Sequence, residues 1–441
     1  MILLVLTLVL LLCMSYKLVN RDLIAPSFIF TSSFLFSTLW ALLYTKEWNL
    51  NLHINTYFVI AGGVFEFIIV SYLIQSIMKF IRANRNIYTK QEVQEIQVNS
   101  LVKAIFLIVS IGIVFYSYYA IVRAVHGSMN DISSALFVYR VKTMNVSDDI
   151  ALPRIVAYGR MMLNAGGYWF LYILIQNYIA IKKIDFFSLF IVVMQVLSSF
   201  ATGGRNGAIN IILGGVLVFL FLLSRKNGMR KSISLKTILK LIVLAFVVLV
   251  LFQSVGSVVG RITTSNTSLL DYLAKYCGAE IKNLDIFLQS DKIGASNQNQ
   301  TFIYIVRWLG PKIGMQNTKY ALDLPYMNVN GFNLGNVYTT FYPYIYDYGY
   351  IGEITLVAVM AGIVQIVYEL AKRTTISNKP NYSIVLYMFM FSSLMFSFFS
   401  NKFYEQQFNN QFVGYMIIWI IMNKIMFKFK VKKIVWRKAL K

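Results

Sequence analysis

Histidine and cysteine are almost missing from this sequence, at two residues each in 441. His53 and His126 stand alone, with no second ligand at metal spacing, so no metal site is expected. Cys13 and Cys277 are too few to constrain the redox compartment. No GxxxxGKS/T loop, no GxSxG elbow and no Cys/His pairing occurs, so chemistry powered by ATP is not expected and no cofactor is called for. Charge is scarce as well: 13% of residues are Asp, Glu, Lys or Arg. No internal repeat stands out, which argues against a transporter built from duplicated halves.

Apolar residues fill that space. At 58% hydrophobic residues and a mean hydropathy of +0.62, the chain has more apolar surface than a soluble domain of this length buries. It reads as an all-α, polytopic transmembrane helical bundle of about eleven spans, each near the length an α-helix needs to cross a bilayer. Candidate spans are 1–16, 27–44, 57–78, 101–122, 155–181, 184–201, 207–224, 238–259, 350–371, 383–400 and 411–427. The first has no basic start and no small-residue cleavage site, and is expected to be a retained span rather than a signal peptide.

Lysine and arginine set the expected orientation. With residues 79–100 cytoplasmic, alternation puts the N-terminus outside and the C-terminus inside. The three short outer loops then carry one basic residue each (Lys46, Arg205 and Lys402), while every inner loop carries at least two. The net charge of +23 is largely this bias and an attraction to anionic membrane lipids. It is not a nucleic-acid footprint, which needs basic residues gathered on a water-exposed module. Cys13 and Cys277 fall on opposite sides, out of reach of a disulfide.

Three regions follow: helices of 1–259 with an outer loop at 124–154, a long extracytoplasmic loop at 260–349 containing short helices, and 350–441 with the last spans and a basic cytoplasmic tail. In the long loop Leu270, Leu273, Cys277, Ile281, Leu284 and Leu288 recur at helical spacing. An amphipathic helix is expected there, with an ion pair from Asp271 to Lys275 on its exposed face.

Four constellations could carry chemistry. The first is TGGRNG (202–207), between two spans: either a tight turn whose Arg205 snorkels to headgroups, or exposed backbone N–H groups and a guanidinium that cup a phosphate or diphosphate. The second is Glu66 and Arg160, ionisable residues within spans, which either pair structurally or serve function. The third is the outer arginines Arg140, Arg154, Arg160, Arg205, Arg261 and Arg307, which as a set suit an anionic ligand. The fourth is GNVYTTFYPYIYDYGYIGEI (335–354), where an interfacial aromatic belt explains many tyrosines. It leaves Asp347 and Glu353 unexplained, and aromatic faces beside carboxylates, with Tyr338 and Tyr342 among them, also describe a sugar-binding groove.

Many spans, a long outer loop in the second half, SSFATGGRNGAIN between central spans and the downstream tyrosine-rich stretch together resemble the O-antigen and capsule repeat-unit polymerases, the Wzy-type proteins of bacterial surface polysaccharide assembly. The resemblance implies a membrane-embedded glycosyltransferase in the inner (plasma) membrane. It would move a growing glycan from undecaprenyl diphosphate onto a newly flipped lipid-linked repeat unit at the outer face, with a chain-length regulator and a flippase as partners. The family's central arginine matches Arg205. Stabilising the leaving diphosphate needs preorganised cations, for which Arg205 with Arg261 or Arg307 is expected. The acceptor hydroxyl needs a base; Asp271, Glu280, Asp347 and His126 all qualify. An O-antigen ligase shares these features with a different acceptor. A flippase or secondary transporter would instead use charged residues such as Glu66 and Arg160 near mid-membrane, and a non-catalytic scaffold would leave the outer arginines replaceable.

Overall fold

The computed structural model describes residues 1–81, 89–144, 150, 152–202, 204–228, 268–294, 299–315 and 324–428. The candidate span 238–259 and Arg261 lie outside the described residues. The chain is mostly helical. In order run α1 (Ile2–Leu18), α2 (Pro26–Leu43), α3 (Ile54–Ile81), α4 (Ser100–Ala124), α5 (Ile132–Met144), α6 (Arg154–Ile181), α7 (Phe186–Phe200) and α8 (Asn206–Asn227). After them come α9 (Leu269–Cys277), α10 (Ala279–Leu288), α11 (Ile303–Leu309), α12 (Phe341–Arg373), α13 (Tyr382–Met395), α14 (Lys402–Gln407) and α15 (Asn410–Lys428).

Five of these, α2, α3, α4, α8 and α12, are long and apolar enough to cross a membrane, and α1, α7 and α13 are shorter apolar helices. Their sidedness is inverted relative to a soluble protein. On α4, Leu101, Ile105, Ile108 and Phe115 are exposed along one stripe, while Ser110 and Ser117 are buried. The two hydroxyls donate back to the Phe106 and Ile113 carbonyls at 2.7 and 2.6 Å. Apolar faces outward and small polar residues against neighbouring helices are the arrangement hydrocarbon favours. Helix starts follow the local chemistry: Pro26 opens α2, and Asn99, Asp185 and Asn381 cap α4, α7 and α13 by accepting from backbone N–H groups.

The interior is aromatic. Phe30 of α2 stacks on Phe67 of α3 at 4.1 Å between ring centroids, and Phe34 stacks on Phe341 of α12 at 5.0 Å. Helix α12 packs along α3 and is bent at Gly349, whose φ of 66° and ψ of −165° belong to a region essentially restricted to glycine. At one end of the bundle the extended segment 89–99 is tied across it. Asn177 of α6 accepts from the Ile96 N–H at 2.7 Å and donates to the Ile96 carbonyl at 3.0 Å, as a neighbouring strand would. Near this end Glu369, fully buried, takes both Lys372 at 2.9 Å and Arg373 at 3.0 Å. Asp22, packed against Tyr368, has its carboxyl held above the usual range by burial.

The long loop departs from expectation in four respects. The amphipathic stretch is two helices, α9 and α10, broken at Gly278. The Asp271–Lys275 pair does not form, because better-placed partners compete: Asp271 accepts from the Tyr44 hydroxyl at 2.9 Å and Lys275 donates to Asn333 at 3.1 Å. A two-stranded hairpin, β1 (Met327–Val329) and β2 (Phe332–Gly335), turns through Asn330 and Gly331, both at positive φ. Finally, helix begins at Phe341 rather than near 350. The span expected at 383–400 likewise stops at Met395, where Ser397, Phe399 and Ser400 turn back on the Leu394 and Phe396 carbonyls.

Candidate functional site

The turn between α7 and α8 gathers groups from four elements. Helix α7 ends in Ser198, Ser199 and Phe200, and α8 begins at Asn206 with Arg205 as its N-cap residue. From α6, the Arg160 guanidinium donates to the Ser198 carbonyl at 3.3 Å and to Thr202 Oγ1 at 3.5 Å. From α4, the Tyr118 hydroxyl donates to the Leu197 carbonyl at 2.9 Å. Orphan carbonyls at a helix C-terminus attract cations, which is why an arginine in a neighbouring helix stops there. No ion pair involving Arg160 occurs among the described residues.

Arg205 does not snorkel outward: it is 3% exposed, and its Nη1 donates to the Tyr272 hydroxyl of α9 at 2.9 Å. Tyr272 in turn packs on Tyr276, centroids 5.0 Å apart, and Tyr276 stacks on Phe399 beyond α13. The amphipathic helix thus docks on the glycine–arginine turn through its tyrosines. Two guanidinia, Arg160 and Arg205, and the start of a 22-residue helix meet at one turn. Such a set stabilises an oxygen-rich anion.

The four candidate bases are placed differently. Asp271 is the neighbour of Tyr272, and hydrogen bonds from Ser268 and then Tyr44 hold its carboxyl below the usual range. Burial, and then Asp271, pushes the Tyr44 phenol up to about 12. Glu280 is fully buried, and neither carboxyl oxygen has a hydrogen-bond partner; burial raises its pKa well above the usual carboxylate value. Burial, with Glu280 nearby, also raises the Cys277 thiol. Asp347 is committed to structure, accepting from the backbone N–H groups of Gln300 at 3.0 Å and Thr301 at 2.6 Å. His126 is exposed at the end of α4, in a turn at φ 55°.

Arg140 lies on α5, and Arg307 is exposed on α11 beside Tyr304. The open aromatic groove is replaced by a packed ladder. Tyr338, Tyr342 and Tyr346 sit at centroid spacings of 4.3 and 5.6 Å, and Phe287 of α10 closes edge-on to Tyr342 at 4.5 Å. With Tyr338 at 1% and Tyr342 at 5% exposure, neither presents a face to a sugar. Burying large rings against one another wins over exposing them. Among the described residues no group of three His, Cys, Asp or Glu gathers as a metal would need.

Sequence reasoning did not find Tyr272, Tyr44 or Ser198 as partners. Tyr272 and Tyr276 do stand beside the apolar stripe at helical spacing, which is the one signal available; their contacts join residues far apart in the chain. No family model, no curated protein and no solved structure matches this chain.

Proposed function

We propose that the chain is a polymerase that joins undecaprenyl-diphosphate-linked repeat units into surface polysaccharide at the outer face of the bacterial inner membrane. The observation that supports this most is that the α7–α8 turn carries two guanidinia, Arg160 at its α7 end and Arg205 at the start of α8, with Tyr272 from the long loop bonded to Arg205. In this reading the chain has eleven spans, with the N-terminus outside, the C-terminus inside and the segment 260–349 extracytoplasmic.

The turn binds the diphosphate of the donor lipid. As the anomeric C–O bond to phosphate breaks, negative charge grows on the diphosphate, and the fixed guanidinia and helix N-terminus stabilise that charge more than the ground state. The acceptor hydroxyl oxygen attacks the anomeric carbon and forms the new glycosidic bond, its proton goes to a nearby base, and undecaprenyl diphosphate leaves. Asp271 is the candidate beside the arginine site, one residue from Tyr272 and ionised at neutral pH. The energy comes from the glycosyl diphosphate bond, so no nucleotide site is required.

The test is the glycan ladder on a gel from cells lacking the gene, complemented with wild type or Arg205→Ala at matched membrane levels. Single-repeat product on deletion, rescue by wild type and failure of Arg205→Ala support the reading and its site. A ladder that survives deletion overturns the function. Equal rescue by Arg205→Ala leaves the function and removes the arginine from it.

A further inference from the structure

Two carboxyls inside the α3–α12 pair have no part in the outer site. Glu353 lies one turn past the bend at Gly349, so the bend lays its side chain against α3. There it meets Gly63: a Cβ at that position would stand 2.5 Å from Glu353 Oε1. The missing side chain at Gly63 is the notch that the carboxyl enters. Glu66 is three residues further along α3, on the same face as Gly63, which sets the two carboxyls close together.

Glu353 is 6% exposed, and its Oε1 has no hydrogen-bond partner. Glu66 is half-buried near the middle of a 28-residue apolar helix. Neither makes an ion pair among the described residues. Around them stand Phe341 of α12, against which Phe30 and Phe34 of α2 pack, Tyr344, bonded to Thr340 and Asn401, and Tyr404 of α14, donating to the Leu356 carbonyl; the charged groups of α14, Lys402 and Glu405, pair with each other at 2.6 Å. Buried carboxylates ordinarily have an Arg, a Lys or backbone N–H groups, as Glu369 and Asp347 have here.

Two adjacent ionised carboxylates without a cation are disfavoured twice, by like-charge repulsion and by desolvation. A hard metal ion such as calcium requires about six to eight oxygens, and two carboxyls offer four. A proton satisfies the pair. We propose that Glu66 and Glu353 form an intramembrane proton-binding site between α3 and α12, with at most one negative charge between them. The site gives this helix pair two charge states, neutral and singly negative. The inference stands apart from the polymerase reading and does not depend on it.

The test uses the purified full-length protein in lipid nanodiscs with N,N′-dicyclohexylcarbodiimide, an apolar reagent that modifies protonated carboxyls in apolar surroundings, followed by peptide mapping. The expected result is a modification on Glu353 or Glu66 that falls about tenfold per pH unit once the pH passes the site's midpoint. It is expected to be indifferent to sodium, potassium or calcium at fixed pH, and lost or moved to the partner in Glu353→Gln. Because the wild-type pH profile is itself the readout, a variant that fails to fold does not spoil the test. Protection by a metal cation with no effect of pH overturns the proposal in favour of a cation site. Failure to modify either residue, together with an infrared spectrum lacking any protonated-carboxyl band that titrates with pH, overturns it outright.

Discussion

Arg205 and Tyr272, 67 positions apart, are joined by a 2.9 Å hydrogen bond that fastens the amphipathic helix α9 to the turn between α7 and α8. A hydrogen bond to the part-buried Tyr272 hydroxyl fixes the plane of the guanidinium, which suits it to bind phosphate oxygens in a set orientation. Tyr272→Phe removes only the hydroxyl. A hydrogen bond to a charged group is worth about 1.5–3 kcal/mol, so polymer synthesis by Tyr272→Phe is expected to fall roughly ten- to a hundredfold with unchanged membrane levels. Arg205→Lys is expected to fall at least as far, since a point charge cannot reproduce the fork. Densitometry of the glycan ladder at matched expression checks both; a wild-type ladder in Tyr272→Phe removes the tyrosine from the site.

Glu280 ties stability to pH. Its carboxyl is raised well above the ordinary value of 4.5 by burial. The unfolded chain therefore releases this proton at lower pH than the folded one does. The contribution is fully present below about pH 4.5 and is lost as pH rises from there through the folded value. Melting temperature in detergent is expected to fall with rising pH over that window. Glu280→Gln, which stays neutral, is expected to flatten the profile and to be the more stable protein at its alkaline end. A wild-type profile that does not differ from the variant's would mean that Glu280 is hydrated in the folded protein.

The sequence made the helical bundle legible through the length and apolarity of its runs, because an α-helix is the simplest way to satisfy backbone hydrogen bonds in hydrocarbon. The glycine–arginine turn was legible for the same reason, as a polar interruption between two such runs. The route of the loop was not. Asp271 and Lys275 stand at ideal ion-pair spacing, yet Tyr44 and Asn333, hundreds and tens of residues away, take their polar groups instead. The tyrosines of 338–346 are amphipathic, so composition alone does not decide between a groove and a packed ladder. Packing against Phe287 decides it. Nor did Glu353 announce itself as a partner of Glu66; that pairing depends on the bend at Gly349 and the notch at Gly63.

Glu369 neutralises two cations on its own helix at one end of the bundle, where all three side chains are nearly or fully buried. Glu369→Ala would remove the carboxylate that both Lys372 and Arg373 pair with in a buried setting. Breaking a buried pair by removing one partner costs about 3–5 kcal/mol. A clear drop in melting temperature is expected, with Glu369→Gln intermediate because Gln still accepts hydrogen bonds. Thermal unfolding in detergent, followed by tryptophan fluorescence, reads this directly; an unshifted transition would mean that water reaches the cluster.

Gly349 is the last point, because the Glu353 notch depends on where α12 runs. Its φ of 66° with ψ of −165° is open to glycine and closed to L-residues. The space around it is empty, since a Cβ there would meet nothing within 4 Å. Any penalty in Gly349→Ala is therefore conformational and not steric crowding, of about 1–3 kcal/mol. Straightening the bend would relieve it, at the expense of Asp347, which bonds the Gln300 and Thr301 N–H groups two residues before. Gly349→Ala is expected to lower the melting temperature and to raise proteolytic cleavage near residues 299–301, and a variant of wild-type stability with an uncut loop would show that the bend is not held by this residue.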